Sequence, residues 1–179
     1  TGAQQIDGQE SLMIPGGFNL SDPNLQQKFA LVRNQIFSSD PIDESKLNIV
    51  NTTNQEDLKN YFINVEVGYF KLYENSGFNQ NAKSANDTLK NFEIFENIFS
   101  QYLNLLYEMK IPSVFKNFHI KLIRATSAEI KINKAVLDHQ NDPLKSMLMK
   151  NLQDELTDIV KKITKEEISL MKQYGIVIK

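Results

Sequence analysis

The fold is decided by residues 113–174, SVFKNFHIKLIRATSAEIKINKAVLDHQNDPLKSMLMKNLQDELTDIVKKITKEEISLMKQY, which predict a helical hairpin bent at Asp142-Pro143. In each half, apolar residues recur at steps of three and four, which places them along one face of an α-helix. Asp142 suits the N-cap of the second helix, and Pro143 suits its first position, where no backbone N–H is needed. Gly175 suits the left-handed residue after that helix, with Ile176 folding back onto the last turn.

Other helices must cover the hairpin, because neither arm is stable with its apolar face in water. Helical spacing predicts three further helices: one to about Ser38, one from a capping box at Thr53 and Glu56, and one ending near Ile111-Pro112. The short connections predict that consecutive helices of the hairpin region are antiparallel neighbours. We therefore predict an all-α fold, an up-and-down bundle of four long helices plus a shorter N-terminal helix.

The domain boundary follows from a change in composition near residue 21. Residues 1–21 are rich in glycine and show little periodicity, which predicts an extended N-terminal arm or linker. Residues 22–179 carry the helical pattern and are predicted to form a single helical-bundle domain.

Composition excludes several classes of protein. No apolar run approaches the roughly 20 residues of a transmembrane helix, and the mean hydropathy is −0.38. The chain has no cysteine, which excludes disulfides and thiolate metal sites. Lysine far outnumbers arginine and the net charge is −2, so a nucleic-acid partner is not expected. The chain starts without methionine, so we expect that a leader or anchor has been removed upstream.

The two histidines are candidate ligands with structural alternatives. His119 lies within the apolar stripe, where it is either a pH-sensitive or metal-ligating imidazole or a core histidine with one backbone or carboxylate partner. His139 stands beside Asp138 and Asp142 near the bend, where it either chelates a metal weakly or complements the helix dipole. The sequence pattern favours the structural alternative for both, and we predict no metal site and no cofactor.

Glu129 is the third candidate, because it stands on the stripe at a position where the spacing requires an apolar residue. A buried carboxylate needs a partner, such as a lysine or tyrosine on a facing helix, and could be a binding determinant. The alternative is that Glu129 lies at the rim of the stripe. Together with His119 and a tyrosine (Tyr61, Tyr69 or Tyr102) it defines a candidate ligand-binding site, for which we single out His119, Glu129 and Tyr102.

Catalytic motifs are missing from the sequence. There is no Gly-x-Ser-x-Gly elbow, no phosphate-binding glycine loop, no His-Glu-x-x-His and no Glu-x-x-His pair of the di-iron bundles. The lysines Lys161, Lys162 and Lys165 are predicted to form helical ion pairs on a solvated face. These observations predict a protein that is not an enzyme.

At Ile111-Pro112, His119, Asp142-Pro143 and Tyr174-Gly175-Ile176, the chain resembles a group of uncharacterised bacterial extracytoplasmic helical-bundle proteins. The resemblance covers residues 53–176 and implies an extracytoplasmic location, periplasmic or at the cell surface. It implies no catalytic residue.

The leading functional hypothesis is therefore a non-enzymatic structural or protein-interaction module in a cell-surface or envelope assembly, with another protein or a second copy as partner. The alternative hypothesis is a small-ligand or metal-binding helical bundle. An enzyme of unrecognised type is the third.

Overall fold

The computed structural model describes residues 13–14, 18–19, 22–37, 41–78, 85–138 and 143–178. Most of these residues belong to five helices, α1 (Pro23–Phe37), α2 (Gln55–Glu74), α3 (Ala85–Glu108), α4 (Lys116–Asp138) and α5 (Pro143–Gln173). The strands are short: β1 (Met13–Ile14), β2 (Phe18–Asn19), β3 (Asn48–Val50) and β4 (Lys110–Pro112). Single 3-10 turns occupy Glu44–Lys46 and Ser113–Phe115. The predicted all-α class is confirmed.

The chain divides into two compact units, 1–38 and 39–179. The first contains α1 and the antiparallel pair of β1 and β2. The second contains β3, β4 and the four long helices. The predicted domain, residues 22–179, spans both units, so its single-domain character stays a prediction.

Helices α2 to α5 form the up-and-down bundle, in which each helix packs on the next along the chain. Side-chain contacts fix the directions. Tyr102 of α3 donates a hydrogen bond to the carbonyl of Val65 in α2. One turn earlier in α3, Phe99 lies against Tyr69, which is one turn later than Val65 in α2. Between α4 and α5, Lys121 pairs with Glu166 while residues nearer the α4 C-terminus meet the first half of α5. Between α3 and α4, His119 lies against Leu106 while Lys134 pairs with Glu96, so consecutive helices of the bundle are antiparallel, as predicted.

Two helix ends show how local chemistry fixes the elements. At the start of α2 the N-cap is Asn54, whose side chain accepts a hydrogen bond from the backbone N–H of Glu56, so the predicted capping box at Thr53 is wrong by one residue. After α5, Gly175 has φ +63°, and Ile176 N–H donates to the Met171 carbonyl at 2.8 Å. This is the predicted Schellman-type end. Asp142, the predicted N-cap of α5, lies outside the described residues.

A parallel strand pair, β3 with β4, was not predicted. Asn48, Ile49 and Val50 pair with Lys110, Ile111 and Pro112. The chain makes a single 3-10 turn at Glu44–Lys46 before it enters β3. The pair ties the residues before α2 to the end of α3, with Ile111 completely buried. The strand pair therefore fixes the end of the bundle that contains the aromatic core.

The core at this end of the bundle is aromatic. Phe62 and Phe115 lie with ring centroids 4.8 Å apart, and both are fully buried. Tyr174 meets Phe115 edge-on at 5.2 Å, which connects the end of α5 to the start of α4. Burial of each such side chain stabilises the fold by about 2–3 kcal/mol.

Candidate functional site

His119 lies inside this aromatic core and has no solvent exposure. Its Nε2 lies 2.9 Å from the carbonyl oxygen of Leu106, and its Nδ1 lies 3.0 Å from the hydroxyl oxygen of Tyr61. A carbonyl can only accept, so Nε2–H donates to Leu106 and Nδ1 accepts from the Tyr61 hydroxyl. Burial lowers the pKa of His119 to about 4, although the bond to Leu106 acts in the opposite direction. The imidazole is therefore neutral at physiological pH, and both its nitrogens are engaged.

A groove opens beside this core, with lining residues from α2, α3, α4 and α5. The cavity has a volume of about 700 Å³ and a mostly apolar surface. It is lined by Tyr69, Phe99, Tyr102, Leu122, Ala125, Thr126, Glu129, Gln153, Leu156, Thr157, Val160, Lys161, Ile163, Thr164 and Lys165. Along α5 the lining runs from Gln153 to Lys165, about 18 Å at 1.5 Å per residue.

Glu129 provides the carboxylate of the groove. Both of its oxygens accept hydrogen bonds from the Gln153 amide, at 3.1 and 3.2 Å. Burial raises the pKa of Glu129, and the Gln153 and Asn133 amides counteract that effect in part. Nδ2 of Asn133 is itself buried without a regular hydrogen bond. The partners that stabilise this half-buried carboxylate are thus neutral amides, not the lysine or tyrosine that was expected.

Three rings form one side of the groove, and we call Tyr69, Phe99 and Tyr102 the aromatic wall. The Tyr69 centroid lies 5.7 Å from that of Phe99 and 5.6 Å from that of Tyr102, the latter pair edge to face. Burial raises the pKa of Tyr69, and the negative charge of Glu129 raises it further, so wall and carboxylate share one electrostatic environment.

The predicted site residues therefore separate into two places. Tyr102 and Glu129 line the groove, together with Tyr69. His119 and Tyr61 are hydrogen-bonded to each other in the core, outside the groove lining. The structure brings two of the three singled-out residues together.

Sequence reasoning missed a second half-buried carboxylate, Glu167. Burial, assisted by the negative charge of Glu66 on α2, raises its pKa to about 7, and its Oε1 is buried without a hydrogen bond. A signal was present, because Glu167 stands four residues after Ile163 and three before Leu170, both on the apolar stripe of α5.

Only part of the predicted lysine pattern forms, since Lys161 pairs with Asp158 at 2.9 Å whereas Glu166 pairs with Lys121 of α4.

Within the described residues, no three His, Asp or Glu side chains come close enough together to hold a metal ion. His139 and Asp142 lie outside the described residues, so the structure tests neither of the two alternatives for His139. No helix in the described part of the chain has the length and hydropathy of a membrane span.

Comparisons with protein-family models, curated proteins and solved structures returned no match.

Proposed function

We propose that this chain is a non-catalytic binding protein whose ligand is a small, largely apolar molecule held in the groove. The observation that supports it is the groove itself, about 700 Å³ in volume and mostly apolar, with one half-buried carboxylate. Small-molecule sites typically have 300–1,000 Å³, apolar walls and a few polar groups that fix orientation. Of the two hypotheses from the sequence, the ligand-binding alternative therefore has the more specific support.

The chemistry around the groove supports binding rather than catalysis. Glu129 is hydrogen-bonded to the side-chain amide of Gln153. An amide neither donates a proton readily nor acts as a nucleophile. The nearest imidazole in the described bundle, His119, has both nitrogens engaged in the core. A carboxylate without a neighbouring nucleophile, acid or base can still orient a ligand, and that is the role we assign to Glu129.

A thermal-shift screen of small apolar compounds tests this function, because a ligand that binds only the folded state raises its Tm. Val160 lines the groove and is 44% exposed, so Val160→Trp should block the groove without disturbing the core. Ile168, two turns further along α5 and 46% exposed, does not line it, and Ile168→Trp is the matched control. We expect compounds that stabilise the wild type and the Ile168 variant but not the Val160 variant. No stabilising compound, or equal shifts in all three proteins, would refute the proposal.

Protein interaction is the second candidate function, and exposed apolar residues on α2 favour it. Val67 and Phe70 are 39% and 63% exposed and lie three residues apart, on one face of the helix. Exposed apolar patches mark protein contacts more often than scattered single residues do. If a second copy binds there, sedimentation velocity should show a concentration-dependent dimer that Phe70→Ser abolishes. A wild type that stays monomeric at high concentration would exclude self-association through this face.

The extracytoplasmic location, in the periplasm or at the cell surface, remains a proposal that rests on the resemblance. Fractionation of the native cells tests it, with the protein expected outside the cytoplasmic fraction.

A further inference from the structure

The groove contains a charge that the described residues leave unbalanced. Glu129 is half-buried on α4, and the groups that lower its pKa are the neutral amides of Gln153 and Asn133. Removing a carboxylate from water is costly unless a positive charge compensates it. A ligand that supplied this charge would gain more from Glu129 than a neutral ligand of the same shape.

The aromatic wall suits the same kind of ligand. Aromatic faces attract cations through the ring quadrupole, and carboxylates combined with aromatic rings recognise organic ammonium groups. Tyr69 feels the charge of Glu129 directly, and its ring stands within 6 Å of the other two rings of the wall. The hydroxyl of Tyr102 is already committed to the Val65 carbonyl, so this ring offers mainly its apolar surface.

Two lysines line the groove, and their positions are compatible with a cation at Glu129. Lys161 is paired with Asp158 at 2.9 Å, which neutralises its charge locally. Lys165 lies at the opposite end of the lining, about 18 Å along α5 from Gln153. That distance exceeds the Debye length of about 8–10 Å at physiological ionic strength, and the Lys165 side chain is exposed, so its repulsion is screened.

We infer that the ligand is an apolar organic cation, with an ammonium group beside Glu129 and the aromatic wall and an apolar body extending along α5 toward Lys165. This inference rests on the proposed function, because it names the charge of the molecule that the groove holds. The apolar residues Leu122, Leu156 and Val160 contact the body of the ligand, and Glu129 determines which head group is preferred.

Three probes with the same ten-carbon chain test the inference: decyltrimethylammonium, 1-decanol and decanoate. Each is titrated calorimetrically, the two ions below their micellar concentrations and the alcohol below its solubility limit. The wild type should bind the cation about tenfold more tightly than the alcohol, and decanoate no better than the alcohol. Glu129→Gln removes the charge but keeps a group that can bond to Gln153, so this variant should bind cation and alcohol within about twofold of each other.

The control variants distinguish failure of the inferred cation preference from failure of the proposed binding function. Val160→Trp should weaken every probe that binds in the groove, and Ile168→Trp should weaken none. Equal affinity of the wild type for cation and alcohol, or a cation preference that survives Glu129→Gln, overturns the inference while the groove remains the binding site. If no probe binds the wild type, or if Val160→Trp leaves binding unchanged, the proposed function fails and the inference fails with it. A cooperative thermal transition in each variant establishes that it is folded.

Discussion

The neutral, buried imidazole of His119 should make the protein lose stability in acid. Its ordinary pKa is about 6.5, and burial lowers the pKa to about 4 in the folded chain. Because the unfolded state binds the proton more tightly, the stability that neutral His119 provides is complete above pH 6.5 and decreases as the pH falls toward 4. Replacement by glutamine removes this titration, because an amide donates to Leu106 and accepts from Tyr61 without ever carrying a charge.

The size of the effect follows from the two pKa values. They differ by about 2.5, and each pKa unit corresponds to about 1.4 kcal/mol, so the full loss is about 3–4 kcal/mol below pH 4. At pH 5, where the folded imidazole is still mostly neutral, the loss is about 2 kcal/mol. This is a large part of the typical 5–15 kcal/mol stability of a domain.

Urea denaturation of the wild type and of His119→Gln, at pH 8 and pH 5, measures the effect. The wild type should lose about 2 kcal/mol more than the variant over this range. All other titratable groups are common to the two proteins, so their contributions cancel in the comparison. Equal pH dependence of the two proteins would refute the assignment of a neutral core histidine. An NMR titration of the folded wild type gives an independent answer, since a His119 pKa near 6.5 is equally incompatible with the assignment.

Three further substitutions test other parts of the structure. Tyr61→Phe deprives the buried Nδ1 of His119 of its donor and should lower the free energy of unfolding by about 1–3 kcal/mol in chemical denaturation; an unchanged value would contradict the hydrogen bond. Gly68→Ala should raise Tm, corresponding to about 0.5–1 kcal/mol, because the added Cβ meets its nearest side-chain atom at an ordinary 3.6 Å; a lower Tm would show that α2 and α3 pack more closely there. Glu167→Gln should stabilise the protein by about 1–3 kcal/mol at pH 8 but not at pH 4, because a folded pKa raised from 4.5 to about 7 costs stability as the pH rises through that range; equal effects at both pH values would exclude ionisation as the cause.

The helices could be predicted because their signals are local. Apolar residues three and four apart, Pro143 at a helix start and Gly175 after a helix end each act within one or two turns. The same local signals gave the antiparallel order, since the connection before α4 is short. The parallel pairing of β3 with β4 joins residues about 60 positions apart, and three-residue strands carry too little pattern to reveal such a contact.

The hydrogen-bond partners of the buried polar groups could not be predicted from local sequence, because they too come from distant parts of the chain. Spacing showed that Glu129 stood on an apolar stripe, but not that Gln153 of α5 would face it. It placed His119 in the core, but the donor from α2 and the carbonyl from α3 follow from the packing of three helices. Glu167 carried the same spacing signal as Glu129 and was hidden by the neighbouring charges of Glu166 and the lysines.

The groove depends on a feature that no single helix encodes, because its lining combines residues of α2, α3, α4 and α5. Tyr102 and Ile163 belong both to the continuous hydrophobic core and to the groove lining, so the groove borders the core. Closing it would press the aromatic wall and α5 together around the carboxylate of Glu129, which would then lose its remaining access to water without gaining a positive partner. The uncompensated charge of Glu129 therefore opposes closure of the groove.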